Sequence, residues 1–239
     1  SQLLQPISIN PVQPQLAENS LKIFQGSGPA NPSFNEYNSL FTRNQLGMQA
    51  SGVWGEKNTL ADEVALNGVY NWLSVSLGQF YFKTNGFRDN NDQRQELYNL
   101  FVQATPDYKT SLQAELRYSD KNYGDLALSF DPNNYDPTAR QTDRVRTGRF
   151  GFHHAFEPGS DLIASFIYAR ADYSLDFTSF MGPYHDESKW DSYLAEMQYL
   201  FKRDRFQATV GGGMTDVNAT GSYDMTIFAV HILGASSIM

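Results

Sequence analysis

From position 44 onward the chain alternates apolar and polar side chains in segments of about ten residues, the period-two pattern of strands whose faces meet different surroundings. The stretch SLQAELRYS is the plainest case. Leu112, Ala114, Leu116 and Tyr118 form one row, and Ser111, Gln113, Glu115, Arg117 and Ser119 form the other. Charges at alternate positions exclude a strand buried in apolar surroundings on both faces. They fit a row that meets water inside a barrel while the opposite row meets lipid. The same alternation runs through NQLGMQASGVWG, EVALNGVY, WLSVSLGQFYFK, ELYNLFVQAT, DLIASFIYAR and DSYLAEMQYLF. VRTGRFGFHH, FQATVGGGM and a last segment near Tyr223 to Leu233 read as further strands. The pattern predicts an all-β fold, an antiparallel transmembrane β-barrel of about ten strands over residues 44–239.

The connections sort by length. Short reversals are expected near Asn71, Pro106, Pro158 and Arg203. Between them lie longer stretches: TNGFRDNNDQ, the segment from Asp120 to Asp143 with LALSF as an extension above the membrane, and ADYSLDFTSFMGPYHDESK. Outer-membrane barrels turn tightly on the periplasmic side and loop widely outside, which predicts a bacterial outer-membrane location with a periplasmic N-terminus. Tyr70, Trp72, Tyr98, Tyr118, Phe156, Tyr168, Trp190, Tyr199 and Phe201 fall near predicted strand ends, where interfacial aromatic girdles sit.

Residues 1–43 differ. Pro6, Pro11, Pro14, Pro29 and Pro32 remove ladder donors and fix φ, so this Pro- and Asn-rich part reads as an extended periplasmic arm. Leu3, Leu4, Ile7, Ile9 and Val12 give it apolar groups that can dock, either as a tether to an upstream domain or as a plug in the lumen.

Composition narrows the field further. The apolar fraction is 41%, yet no uncharged apolar run approaches the roughly 20 residues of a spanning helix. The nearest, Thr226 to Met239, is too short and contains His231. Lys and Arg number 18 against 26 Asp and Glu, and a net charge of −8 argues against nucleic acid as a partner. With no cysteine, stability is expected to come from the strand ladder alone. No signal peptide opens the chain, so an exported protein is expected here in processed or excised form.

The run SLGQFYFKTNGFRDNNDQ, the segment SLQAELRYSDKNYGDLALSFDP, and GFHHAF with SDLIASFIY resemble Gram-negative outer-membrane barrels that follow periplasmic tetratricopeptide repeats. LLQPISINPVQP resembles the connector before such barrels. The resemblance covers most of the chain and implies upstream repeats and export or uptake across the outer membrane. It carries over no catalytic residue. Many such barrels end in a strand with a terminal aromatic residue, whereas this chain ends GASSIM, so further strands are expected in the full protein.

Glu63, Glu96, Glu115, Arg117, Arg144, Arg146 and Glu196 are expected to point inward. There they either form an electrostatic filter or pair with one another and fill a narrow barrel. Arg149 has the opposite parity to Arg144 and Arg146, so only those two are expected to share a face. Asp89, Asp92, Asp131 and Asp136 are weak loop candidates for calcium, or for bridging to lipopolysaccharide through divalent ions, but no twelve-residue ligand spacing is present. His153 and His154 must face opposite ways. His185 with Asp186 and Glu187 is the one rim cluster that could serve an enzyme, and it lacks a nucleophile at a defined spacing. Gly211, Gly212 and Gly213 precede no helix and no Lys-Ser, so no phosphate loop and no cofactor is expected; they read as a site of bending or close packing. Two functions remain open: a channel or export barrel, and a closed structural barrel that anchors a periplasmic partner. Outer-membrane lipid and lipopolysaccharide are the expected surroundings.

Overall fold

The computed structural model describes residues 44–127, 131, 133–203, 206–227 and 230–238. The predicted arm, with both its tether and plug readings, lies outside the described residues. Ten strands follow one another in a single antiparallel sheet. They are β1 (Gln45–Gly55), β2 (Thr59–Tyr70), β3 (Leu73–Thr84), β4 (Gln93–Asp107) and β5 (Thr110–Tyr123). β6 (Arg140–Glu157), β7 (Ser160–Ser179), β8 (Gly182–Arg203), β9 (Phe206–Ile227) and β10 (Val230–Ile238) complete it. Each strand pairs with its neighbours in sequence, so the sheet is an up-and-down meander, and β1 and β10 are its edges among the described residues.

One end of the sheet is made of tight turns where they were expected. Asn71 reverses the chain at φ 53, a left-handed conformation that asparagine tolerates. Pro106 lies in β4 beside a bulge between Ala104 and Asp107, where a missing ladder donor does no harm. Gly159 follows Pro158 at φ 78, and a Cβ there would lie 2.4 Å from the Lys202 carbonyl oxygen, so only glycine fits.

The opposite end is more elaborate. Residues 85–92, and 124–127 with 133–139, lie in loops, but the stretch ADYSLDFTSFMGPYHDESK, expected as a third, is a ladder. Leu175 pairs with Asp186 and Phe177 with Tyr184, and the Phe177 and Tyr184 rings lie 4.8 Å apart at a 40° tilt. Its alternation continues without the lipid-type contrast between rows, which is why it read as loop in sequence. β5 stops at Tyr123, and of the LALSF segment the described residues Leu126 and Ala127 lie outside any strand, while the rest of it lies outside the described residues. The GGG segment and Tyr223, expected on separate strands, belong to the single strand β9.

The two loops lock together. Asn90 Nδ2 donates to the Asp136 and Ala139 carbonyls, and Asn91 Nδ2 to that of Asp125. The Arg88 guanidinium donates to the Asp125 and Ala127 carbonyls and lies between the rings of Phe87 and Tyr135. Glycine at 124 is required because a Cβ would meet the Asn90 carbonyl oxygen at 2.1 Å.

Candidate functional site

Side chains of directly paired residues share a face of the sheet. The register therefore defines two surfaces. One carries Val102, Ala114, Phe150, Phe166, Ala195 and Met214 as a single cross-strand row. The next carries Leu77, Leu100, Leu116, Gly148, Tyr168 and Tyr193. This apolar surface is the exposed one, with Leu116 61% accessible. The other surface holds Gln113, Glu115, Arg117, Ser119, Thr147, Arg149 and His153, all buried. Polar side chains are shielded and apolar ones are bare, the reverse of a water-soluble domain and the arrangement of a wall between lipid and lumen.

The buried face has a charged centre. Glu115 is 1% exposed and pairs in register with both Phe101 and Arg149. Arg117 Nη2 donates to Glu115 Oε1 at 2.9 Å, Asn99 Nδ2 to the same oxygen at 2.9 Å, and Arg149 Nη1 lies 3.1 Å from Glu115 Oε2. One carboxylate thus bridges two guanidinium groups on adjacent strands. Gln113 Oε1 and Thr147 Oγ1, on the same face, have no hydrogen-bond partner among the described residues. Around them Leu97, Phe101, Ile163, Ile167, Ala169 and Ala171 are buried on that same surface, so its polar groups sit in a low-dielectric setting.

Of the residues expected inward, Glu115 and Arg117 belong to this centre. Glu63 and Glu196 share the face but not the cluster. Glu63 lies opposite Phe80, and Glu196 lies over Gly213, where a Cβ would meet its Cγ at 2.9 Å. Gly211 makes the same room under Gln198, so Gly211 and Gly213 serve close packing, while a Cβ on Gly212 would meet open space. Glu96, Arg144 and Arg146 are corrected. Glu96 has the parity of Tyr98, and Arg144 and Arg146 that of Phe150, so all three stand on the face opposite Glu115. The strands outrun the apolar band, and above it the outward row turns polar, which parity with Tyr98 and Phe150 already signalled. Arg149, set apart from the others by its parity, is the arginine that meets Glu115, and Asn99 joins it.

That outward polar band holds Arg144 Nε 2.9 Å from Asp120 Oδ2, Arg94 against Glu96, and Tyr rings stacked below. The Tyr98–Tyr118 and Tyr168–Tyr193 pairs, with centroids 6.4 and 5.0 Å apart, mark the boundary as a girdle does. Three of the four loop aspartates are occupied locally: Asp92 binds Arg140 at 2.7 Å, Asp136 accepts from the Thr138 and Ala139 amides, and Asp131 accepts from the Asn133 backbone amide. Among the described residues no three His, Asp or Glu side chains converge as a metal site. His153 bonds Asp161 at 2.9 Å, while His154 on the other face lies 3.0 Å from Thr110 Oγ1. His185 joins Asp176 across the hairpin at 2.6 Å rather than Asp186 or Glu187. His231 has no described side chain. Beyond the membrane band, burial pushes the Tyr123 phenol well above its ordinary range, next to Asp143. Backbone amides of Asp136 and Ala127 hold the Asp125 carboxyl below the usual carboxylate range, with Arg88 adding to them.

No family model matches the chain, and no curated protein sequence does. Solved structures do. The ferric citrate transporter FecA in its unliganded form superposes with a TM-score of 0.58 at 14% identity, over 80% of this chain and 30% of FecA. FpvA of P. aeruginosa, in complex with iron and a heterologous pyoverdine, gives a TM-score of 0.53 at 12% identity, over 74% of this chain and 27% of its own. At such identity the likeness establishes the fold: an all-β, antiparallel sheet of the outer-membrane barrel type. The chain spans less than a third of either neighbour.

Proposed function

We propose that this chain forms part of the wall of a bacterial outer-membrane barrel that conducts a solute or polymer across that membrane, with its tight turns and N-terminus on the periplasmic side. The observation that carries the reading is the inverted distribution of polarity, bare leucine and phenylalanine on one face and a shielded Glu-Arg-Arg centre on the other. The neighbours add weight, since FecA is named as a transporter. Hydrocarbon leaves an unpaired strand edge unsolvated, so in the membrane β1 and β10 pair, with each other or with further strands. The face that carries Glu115, Arg117 and Arg149 then faces the lumen, and these paired charges, held within the wall, set the field that a passing solute meets. The resemblance to barrels behind tetratricopeptide repeats suggests a periplasmic repeat partner that hands cargo to the barrel. Planar-bilayer recording of the full-length protein tests conduction: discrete current steps are expected, altered by Arg117→Glu. A folded barrel that stays silent with every solute and polymer tried refutes it in favour of a closed anchor.

A further inference from the structure

The exposed face is not uniform. In the row Leu66, Leu77, Leu100, Leu116, Gly148, Tyr168, glycine stands where every neighbour has a large side chain. The gap lies in an almost wholly apolar groove of about 710 Å³ on the outward face, whose upper edge includes Tyr118 and Arg146. A groove of this kind beside lipid fits a hydrocarbon chain, because its exposed surface is almost all carbon around Leu66, Leu77, Leu100 and Leu116.

Just above lies an unusual pair. Arg146 and Arg170 are direct register partners on neighbouring strands, and like charges so placed repel. They share one carboxylate at long range: Arg146 Nη1 is 3.8 Å from Asp172 Oδ2, and Arg170 Nε is 3.6 Å from Asp172 Oδ1. Both distances exceed a hydrogen bond. Asp120 is bound by Arg144, while Asp191, which accepts from the Tyr168 hydroxyl, is the register partner of Arg170 on β8 and attracts it from the other side. Both arginine side chains remain about half exposed, at 50% and 41%. Both guanidinium groups keep exposed arms that can turn toward an anionic oxygen cluster, and paired guanidinium groups suit phosphate best.

We propose that groove and arginine pair form one site for the phosphorylated glycolipid of the outer leaflet, lipopolysaccharide, with an acyl chain over Gly148 and a phosphate between Arg146 and Arg170. The site lies toward the long-loop end, and in the proposed orientation that end is the cell surface, where this glycolipid rather than phospholipid forms the leaflet. The inference rests on the lipid-facing reading of the Leu116 row and on the proposed orientation, and not on conduction.

The full-length protein, extracted from outer membranes in mild detergent, is analysed by native mass spectrometry for bound lipid. It is then placed in nanodiscs containing either lipid A or phosphatidylglycerol. Lipid A is expected to stay bound through detergent washing and phosphatidylglycerol not. Arg146→Gln with Arg170→Gln is expected to lower lipid A retention about tenfold, the loss of charge-assisted contacts. Gly148→Leu, which fills the groove, has room, since a Cβ there would sit 3.6 Å from Leu116 Cδ2, and it should lower retention as well. Heat-modifiable gel migration verifies folding, and Arg146→Gln alone, at an exposed position, provides a variant whose fold is not at risk. Unchanged retention in correctly folded variants overturns the site, and equal retention of phosphatidylglycerol by the unaltered protein overturns the assignment to the glycolipid. Loss of lipid with intact conductance separates this inference from the channel reading.

Discussion

Replacing Glu115 with alanine should be among the most damaging single changes in this wall, and the reason is the company it keeps. Its carboxylate is 1% exposed and lies 2.9 and 3.1 Å from two guanidinium groups whose own side chains are 6% and 3% exposed. At an effective dielectric of about 20, two unit charges ~4 Å apart attract by about 4 kcal/mol. Two such contacts offset a desolvation cost of several kcal/mol for each ion, leaving a small net gain while the cluster is whole. Remove the carboxylate, and Arg117 and Arg149 face each other with their desolvation uncompensated. A loss of about 3–5 kcal/mol follows. By contrast Asp120→Ala breaks a half-exposed pair with Arg144 and a bond from the Tyr118 hydroxyl, and should cost only about 1–2 kcal/mol. Urea unfolding of the barrel in lipid vesicles, followed by tryptophan fluorescence, measures both. Equal small losses for the two variants would refute the idea that the inner face is held by its charges, and would mean water reaches Glu115 freely.

Nitroxide labels at Leu112 and Leu116 should be accessible to lipid-dissolved oxygen, while labels at Ser111 and Gln113 on the same strand should be shielded from it; the reverse result would invert the sheet. Acidification should loosen the loops before the wall. Asp125 has a folded pKa below its unfolded value of about 3.9, so its contribution is complete above that pH and fades as the pH drops through the folded value. Hydrogen exchange of the 85–92, 124–127 and 133–139 backbones should therefore be slow and constant from neutral pH down to about 4, after the intrinsic rate is removed, and should accelerate below it. Acceleration at pH 6 would contradict this sign.

How much was legible in the chain itself follows from what alternation can encode. Period two needs only neighbouring residues, so strand identity, the two rows of β5, the tight turns at Asn71 and Pro158, and the all-β membrane architecture were all readable from sequence. Parity also separates His153 from His154, and the structure keeps them on opposite faces. What local pattern could not supply is height. Arg144 and Arg146 read as lumenal because charge was equated with the inner row, whereas strands that rise past the membrane carry charge outside as well. The β7–β8 hairpin read as a loop for the same reason: where both faces are wet, the contrast that reveals a strand disappears.

Tertiary pairing decided the rest. Glu115 meets Arg149 only because the β5–β6 register sets them opposite each other, a relation between positions 34 apart that no local spacing specifies. The Gly148 gap likewise becomes a groove only when Leu116 and Tyr168 are brought to its two sides. Alternation within a strand is set by local backbone geometry, so the sequence holds it. Register is set by turn geometry and by the match of whole rows, so the sites that depend on it appear only when strands lie side by side.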